Sequence, residues 1–359
     1  MNVFLYKLRM LLFFLKTKGI RYTLNRLHYH LFWEMRNPLL NWLSHTLTPL
    51  PSYIEVEVTT RCNLQCIICE HTYWDEPPKD MSLEQFKSII SQFPLKWIGL
   101  TGIGESFLNK DFLDILKLVK SKDIVVELYD TFFFIDEKVA ELLLSLEIDR
   151  ILISLDAATK DTYEKIRVNS DFYLVVNNLK RLFELKKKKK SFFPRMAFHF
   201  IVNRMNIGEM EEYIELIASI AQGERADIQF TRMLHSFKEI EELYVEVPED
   251  RIEKLKEKGK SLAITVVFGA DVSAEKPPVC ECIEWTMPFI FVTGDVIPCC
   301  ACNEAGKRAF QKEQALGNIF EQPFKQIWNG KKYRALRNSL RRGKTLPVCR
   351  NCCVYSVNQ

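Results

Sequence analysis

The sequence predicts an α/β fold: parallel strands with crossover helices, and a small cysteine-rich module behind them. Two observations predict it. Between residues 54 and 231, six short β-rich runs alternate with helix-length segments, and strands separated by helices pair in parallel through such crossovers. The eleven cysteines are also unevenly placed, three at 62–69 and eight at 280–353. An odd count so distributed does not suggest a disulfide framework and points to metal or cluster ligation in a reducing compartment.

At 359 residues, 47% hydrophobic and 27% charged, the chain can bury one large core or two smaller ones. Its net charge of +4 neither selects nor excludes a nucleic-acid partner. Residues 1–50 form a basic, aromatic extension in which Glu34 is the only acid against Lys7, Arg9, Lys16, Lys18, Arg21, Arg26 and Arg36. The longest uncharged apolar run there, 10–15, is far below the ~20 residues of a membrane span. It has no small-residue cleavage site, which speaks against a signal peptide. A helix lying on a membrane surface is one reading of this composition. At 100° per residue, however, Lys7 and Lys18 fall on one side and Arg9 and Lys16 almost opposite, a poor amphipathic stripe. Helices that pack on the main domain and end near Pro38, Pro49 and Pro51 are at least as good a reading, and peripheral membrane contact is the minor alternative.

Residues 51–237 carry the alternation. The β-rich runs are 54–59, 97–101, 124–129, 150–155, 196–202 and 227–231, and helical spacing marks 82–93, 110–120, 137–146, 161–185 and 207–221. The lysine run 186–190 reads as a solvated loop at a helix C-terminus, where cations suit the dipole. No aromatic-interleaved basic surface accompanies it, so no nucleic-acid partner is expected. A Glu- and Lys-rich helical connector spans 238–276, and Pro277-Pro278 opens the module at 277–359.

The chemistry centres on Arg61-Cys62-Asn63-Leu64-Gln65-Cys66-Ile67-Ile68-Cys69, just past the first strand. In a barrel the active site belongs at the carboxyl ends of the strands, where this loop falls. Three thiolates spaced Cys-x3-Cys-x2-Cys can each hold one iron of a cubane and leave the fourth iron open. The rival is a zinc knuckle with His71 as fourth ligand, but structural zinc sites usually pair their cysteines with a second, distant pair.

The triplet resembles that of the radical S-adenosylmethionine (radical SAM) superfamily, with Ile68 where the family usually has an aromatic residue. The resemblance implies a partial (βα)6 barrel of TIM type and a [4Fe-4S] cluster holding Cys62, Cys66 and Cys69 as ligands. It implies that SAM binds the open iron and is reductively cleaved to abstract hydrogen from a substrate. Thr101-Gly102-Ile103-Gly104-Glu105-Ser106 matches the family's Gly-Gly-Glu motif, so Gly102, Gly104 and Glu105 would receive the amino group of SAM. Ile153-Ser154-Leu155-Asp156-Ala157 with Ile166-Arg167 is similar to its Ser-Leu-Asp-Gly and Ile-Arg segments. Ser154 and Arg167 would then contact SAM, and Asp156 would lie near the ribose. Asn203-Arg204-Met205-Asn206-Ile207 resembles a family turn and reads as structural.

In the last module, Gly294 to Cys299-Cys300, Leu316-Gly317-Asn318-Ile319 and Ile327-Trp328 resemble the SPASM domain, with a β-hairpin turning at 293–295. One auxiliary [4Fe-4S] cluster held by Cys282, Cys299, Cys349 and Cys352 is implied, with Cys280 the rival for Cys282; a zinc ribbon is the alternative. Cys300 is the candidate hydrogen donor to a substrate radical. A cytoplasmic radical SAM oxidoreductase or maturase is expected, partnered by a donor such as flavodoxin or ferredoxin. Its substrate would be a peptide, a carbohydrate or a lipid-linked molecule. Non-catalytic zinc scaffolding and SAM-dependent methyl transfer are the other readings.

Overall fold

The computed structural model describes residues 3–31, 37–74, 76–233, 238–269, 287–299 and 308–342. All six β-rich runs form strands: β1 (Tyr53–Val56), β2 (Trp97–Leu100), β3 (Val125–Asp130), β4 (Arg150–Ser154), β5 (Arg195–Val202) and β6 (Ala226–Arg232). They lie side by side in chain order, each parallel to the next. Between them run α3 (Leu83–Ile90), α4 (Phe112–Lys120), α5 (Glu137–Ser145), α6 (Lys160–Ile166), α7 (Phe172–Lys188) and α8 (Met210–Ala221). Local signals set where several of these begin. Ser82 and Gln85 form a capping box on α3, and Asp136, Thr159 and Asp171 cap α5, α6 and α7.

Register explains the two faces of the sheet. The row Val56, Leu100, Leu128, Ile151, Met196 and Ala226 is buried in the main core with the helices. The neighbouring row is polar, running Glu55, Gly99, Glu127, Arg150 and Arg195. Alternation puts these on the opposite face, the one that lines the barrel.

The segment read as a connector does more than connect. It supplies α9 (Glu249–Ser261) and then β7 (Thr265–Phe268), which extends the parallel sheet beyond β6. At the other edge β8 (Phe289–Ile290) pairs parallel with β1 and begins the hairpin to β9 (Asp295–Ile297), on which β10 (Gly317–Asn318) adds. The sheet therefore reads β10-β9-β8-β1-β2-β3-β4-β5-β6-β7. The hairpin turns at Gly294, whose φ of 87° suits only a residue without a Cβ. Beyond it lie α10 (Arg308–Glu313), α11 (Phe324–Trp328) and α12 (Lys331–Arg341).

The extension packs on the amino ends of the strands through α1 (Val3–Tyr29) and α2 (Pro38–Leu47). Phe14, Tyr22 and Tyr29 join Tyr53, Trp97 and Val125 in a second core. Tyr29 Oη donates to Glu127 at 2.8 Å, and Tyr22 Oη donates to Asp149. Asp149 also accepts from Lys120 Nζ at 2.7 Å and from the Val126 amide at 2.9 Å. Packing on the main domain is thus observed, with one difference at Pro38. It starts α2, where its missing N–H is not needed. In the lysine run, α7 continues to Lys188, and Lys186 is buried against Glu224 at 3.1 Å.

Candidate active site at the carboxyl ends of the strands

From β1 the chain passes directly into the cysteine loop, and neighbouring elements fix that loop on two sides. Gln65–Cys66 forms a short antiparallel ladder with Arg167–Val168, and the Ile67 amide donates to Ile166 O at 2.9 Å. Opposite, the Glu105 amide donates to Arg61 O at 2.7 Å. Cys66 is buried, Cys62 and Cys69 are half-buried, and all three are free thiols. Burial pushes the Cys62 thiol up to about 11 and the Cys69 thiol up to about 12; Cys66 adds to both shifts, and Cys62 adds to that of Cys69. Three desolvated thiols side by side, with Arg167 the one cation acting on all of them, fit a group that brings its own positive charge.

Among the described residues no three His, Cys, Asp or Glu side chains close on a single ion. A cubane asks for a different arrangement, since each thiolate binds its own iron. His71, the fourth ligand of the zinc reading, has Nε2 hydrogen-bonded to Thr60 O at 2.9 Å. Leu64, Ile68, Ile166, Met233 and Ile240 pack around the loop, so Ile68 keeps the apolar cover that an aromatic residue would give.

The Gly102-Ile103-Gly104-Glu105 loop lies against this one. Gly102 has φ 153°, and a Cβ there would stand 2.6 Å from Glu57 Cγ. At Gly104 a Cβ would run into Thr59 O and sit 2.7 Å from Arg61 O. Gly102 needs glycine for its positive φ and for the Glu57 side chain against it, and Gly104 because the two loops touch there through their backbones. The Glu105 carboxylate is buried and accepts from Thr131 Oγ1 at 2.6 Å. Beside it is a residue the sequence reading missed, Asp130, at the end of β3. Burial, then the neighbouring Glu105, hold its carboxyl well above the usual range, so it keeps a proton between the two acids. Its Oδ1 accepts from the Phe132 amide at 2.6 Å, and its buried Oδ2 meets no donor among the described residues, which leaves that oxygen to carry the proton toward Glu105.

Ser154 ends β4, half-buried, in register with His199 on β5, which is in register with Gln229 on β6. His199 Nε2 meets Thr231 Oγ1 at 2.8 Å, and burial lowers its pKa, so this wall of the barrel is polar and uncharged. Asp156 accepts from Arg167 Nε at 2.7 Å, from its Nη2 at 2.5 Å and from the Ile201 amide at 2.7 Å. Burial works against the Arg167 charge, and Asp156, together with Cys66 and Tyr163, more than offsets it. Two donors of that guanidinium are therefore occupied, and its Nη1 stands 3.9 Å from Cys66 Sγ. Asn206 Nδ2 donates to Asp156 O at 2.8 Å, which makes the Asn203–Ile207 turn a structural brace.

A second missed residue joins the two domains. Glu57 is fully buried, pairs with Arg308 of α10, and accepts from the Val292 amide at 3.3 Å and the Ile103 amide at 3.4 Å. The Arg308 guanidinium also lies over the Phe291 ring at 3.9 Å. One carboxylate thus touches the hairpin turn, the glycine loop and α10 of the last module. The available signal was Glu55 and Glu57 alternating in an otherwise apolar strand. Of the auxiliary cysteines, Cys299 is half-buried against the main core. Cys280, Cys282, Cys300, Cys302, Cys349, Cys352 and Cys353 lie outside the described residues.

Comparison with known proteins agrees with this arrangement. The model of the radical SAM superfamily matches residues 56–217, and that of SPASM, an iron-sulfur cluster-binding domain, matches residues 280–353. A tungsten-containing aldehyde ferredoxin oxidoreductase cofactor-modifying protein of Pyrococcus furiosus is 21% identical over 325 residues, 84% of this chain and 86% of its own. The mycofactocin maturase MftC of Mycobacterium tuberculosis is 24% identical over 185 residues, covering 51% of this chain and 45% of the maturase. Among solved structures, Streptococcus suis SuiB bound to its precursor peptide SuiA superposes with a TM-score of 0.61 at 12% identity, covering 90% of this chain and 74% of SuiB. The chain belongs to the radical SAM superfamily and carries a SPASM cluster-binding domain behind its barrel.

Proposed function

We propose that this enzyme removes a hydrogen atom from an unactivated carbon of a peptide held over the carboxyl ends of the strands. The observation that carries the reading is the clamped cysteine loop, fixed between the Glu105 amide and the Arg167–Val168 strand. Cys62, Cys66 and Cys69 would hold the SAM-binding [4Fe-4S] cluster. When bound, cluster and SAM together supply the electron and the hydrogen-abstracting radical.

The chain's own residues do the rest. Arg167, held by Asp156, sets a fixed positive charge beside Cys66. Glu105, steadied by Thr131, offers a carboxylate for the amino group of SAM, with Gly102 and Gly104 allowing the close approach. Ser154 lies on the rim for a further SAM contact, and the polar wall of His199 and Gln229 is placed to hydrogen-bond substrate amides. Leu64, Ile68 and Met233 keep water from the loop. Cys282, Cys299, Cys349 and Cys352 are assigned to the auxiliary cluster, with Cys300 as hydrogen donor and a flavodoxin or ferredoxin in the cytoplasm as electron source.

The peptide assignment rests on the shared fold with peptide-bound SuiB. A second reading, modification of a cofactor, draws on the Pyrococcus furiosus relative that spans most of the chain. Anaerobically reconstituted, reduced enzyme should contain about eight irons and eight sulfides per chain and turn SAM into 5′-deoxyadenosine. S-adenosylhomocysteine as the product would replace the reading by methyl transfer, and zinc in place of iron would end it. Peptide libraries should accelerate 5′-deoxyadenosine release; a rate indifferent to every peptide would favour the cofactor reading.

A further inference from the structure

Fourteen large hydrophobic side chains are exposed among the described residues, and nine of them lie in α1 and α2. They are Leu12, Phe13, Leu15, Ile20, Leu24 and Leu27 on α1, and Leu39, Trp42 and Leu47 on α2. Single exposed apolar residues are ordinary, but a concentration of this kind marks a surface that something covers. We propose that this face docks the enzyme, in the plane of the interface, onto an anionic lipid bilayer.

The break at Gly19, with φ 80°, is what makes the face coherent. A stripe drawn through all 27 residues of α1 scatters its charges, but the chain does not continue as one helix through Gly19. Taken separately, the second half presents Ile20, Leu24 and Leu27 at i, i+4 and i+7, one face of a helix. Ile20 is 67% exposed and Leu24 57%. The first half presents Leu12, Leu15 and Lys16 at i, i+3 and i+4, all exposed. The opposite faces are spent on the barrel, where Phe14, Tyr22 and Tyr29 are buried.

The charges sort the same way. Lys18 pairs with Glu147, and Arg26 lies 3.9 Å from Asp149, so these two face the protein. Lys16 and Arg21 stay exposed beside the apolar residues. With Glu34 the only acid in the first fifty residues, this surface complements a negative one. A second copy of the chain would bring the same basic face against itself and set like charges together. Exposed Phe13 and Trp42, at 45% and 61%, suit the headgroup layer. Among the described residues no helix is long and apolar enough to cross a membrane, which fits binding in the plane of the interface. Because α1 and α2 cover the amino ends of the strands, docking there leaves the cysteine loop at the opposite end open to SAM and substrate.

The test is flotation of the full-length, anaerobically reconstituted enzyme with vesicles of phosphatidylcholine alone and with phosphatidylglycerol added. The expected result is flotation with the anionic vesicles that falls as salt rises. Replacing Lys16 and Arg21 together by Ser should lower partitioning by roughly tenfold or more. The triple substitution Ile20→Ser, Leu24→Ser and Leu27→Ser should abolish flotation while leaving iron content, melting temperature and SAM cleavage unchanged, since these side chains touch solvent in the free protein. Protein that stays at the bottom with both vesicle types overturns the proposal, as does flotation that ignores both variants. A dimer by sedimentation equilibrium that the triple substitution dissolves would assign the face to a second copy instead.

Discussion

The two ends of the barrel hold the same kinds of buried group and use them in opposite ways. At the amino end, Asp149 accepts from Tyr22, Lys120 and the Val126 amide, and Glu127 accepts from Tyr29 and from Arg150 at 3.0 Å. The acids there are closed into internal pairs under α1. At the carboxyl end, Asp130 keeps a proton beside Glu105, and three thiols share a desolvated loop with one arginine. The difference separates structural from functional polarity. Paired charges stabilise the end that is plugged, and like groups crowded together mark the end that receives a ligand.

The largest effect should come from the thiols. Replacing any one of Cys62, Cys66 or Cys69 by Ala should bring 5′-deoxyadenosine formation below detection and lower iron from about eight to about four per chain. Retention of the full iron content in all three variants would place the cluster elsewhere.

Breaking the other end should cost stability in place of chemistry. Asp149→Ala strands Lys120 and the Val126 amide in a buried site, a loss of about 3–5 kcal/mol, read by chemical denaturation. Iron bound per folded chain should not change. If the variant folds as stably as the parent and loses iron, the division between the two ends is wrong.

Gly104→Ala tests the carboxyl end without touching a ligand. Its Cβ would displace Thr59 O or Arg61 O, and hence the cysteine loop. Overpacking of this kind costs about 1–3 kcal/mol. A lowered affinity for SAM by equilibrium binding, with iron content retained, is expected.

The sequence carried much of this arrangement where the signal was local. Six strands, the hairpin at Gly294 and the cysteine loop each announce themselves within a few consecutive residues, through alternation, a turn glycine or ligand spacing. Asp130 and Glu57 did not, because their roles depend on neighbours brought from Glu105 and from Arg308, far away in the chain. Strand β7 escaped because Thr265–Phe268 is only four residues long and follows a charged helix. Arg167 was read as a ligand contact, and its pairing with Asp156 could be seen only once β5 had positioned that acid through the Ile201 amide. The extension shows the same limit from the other side. Its charges could be placed on a helical wheel, but not the break at Gly19 or the acids of the barrel that take Lys18 and Arg26.

The smallest effects concern pH, and they have opposite signs at the two ends. Burial, then Lys96, hold His28 at the amino end down to about 4 from its ordinary 6.5. The unfolded chain therefore takes up this proton first as the solution is acidified. The stabilisation from a neutral His28 is complete above pH 6.5 and is lost as pH falls toward 4. At the carboxyl end the raised Asp130 carboxyl works the other way. Its folded form binds the proton more tightly than the unfolded chain, whose ordinary value is 3.8. That stabilisation is complete below 3.8 and is lost as pH rises through the raised value. His28→Gln should thus flatten the acid limb of a melting-temperature profile by a few degrees. Asp130→Asn, whose amide can donate to Glu105 as the protonated acid does, should leave the acid limb alone and raise stability at neutral pH. If both substitutions bent the same limb, the two ends would not be electrostatically distinct.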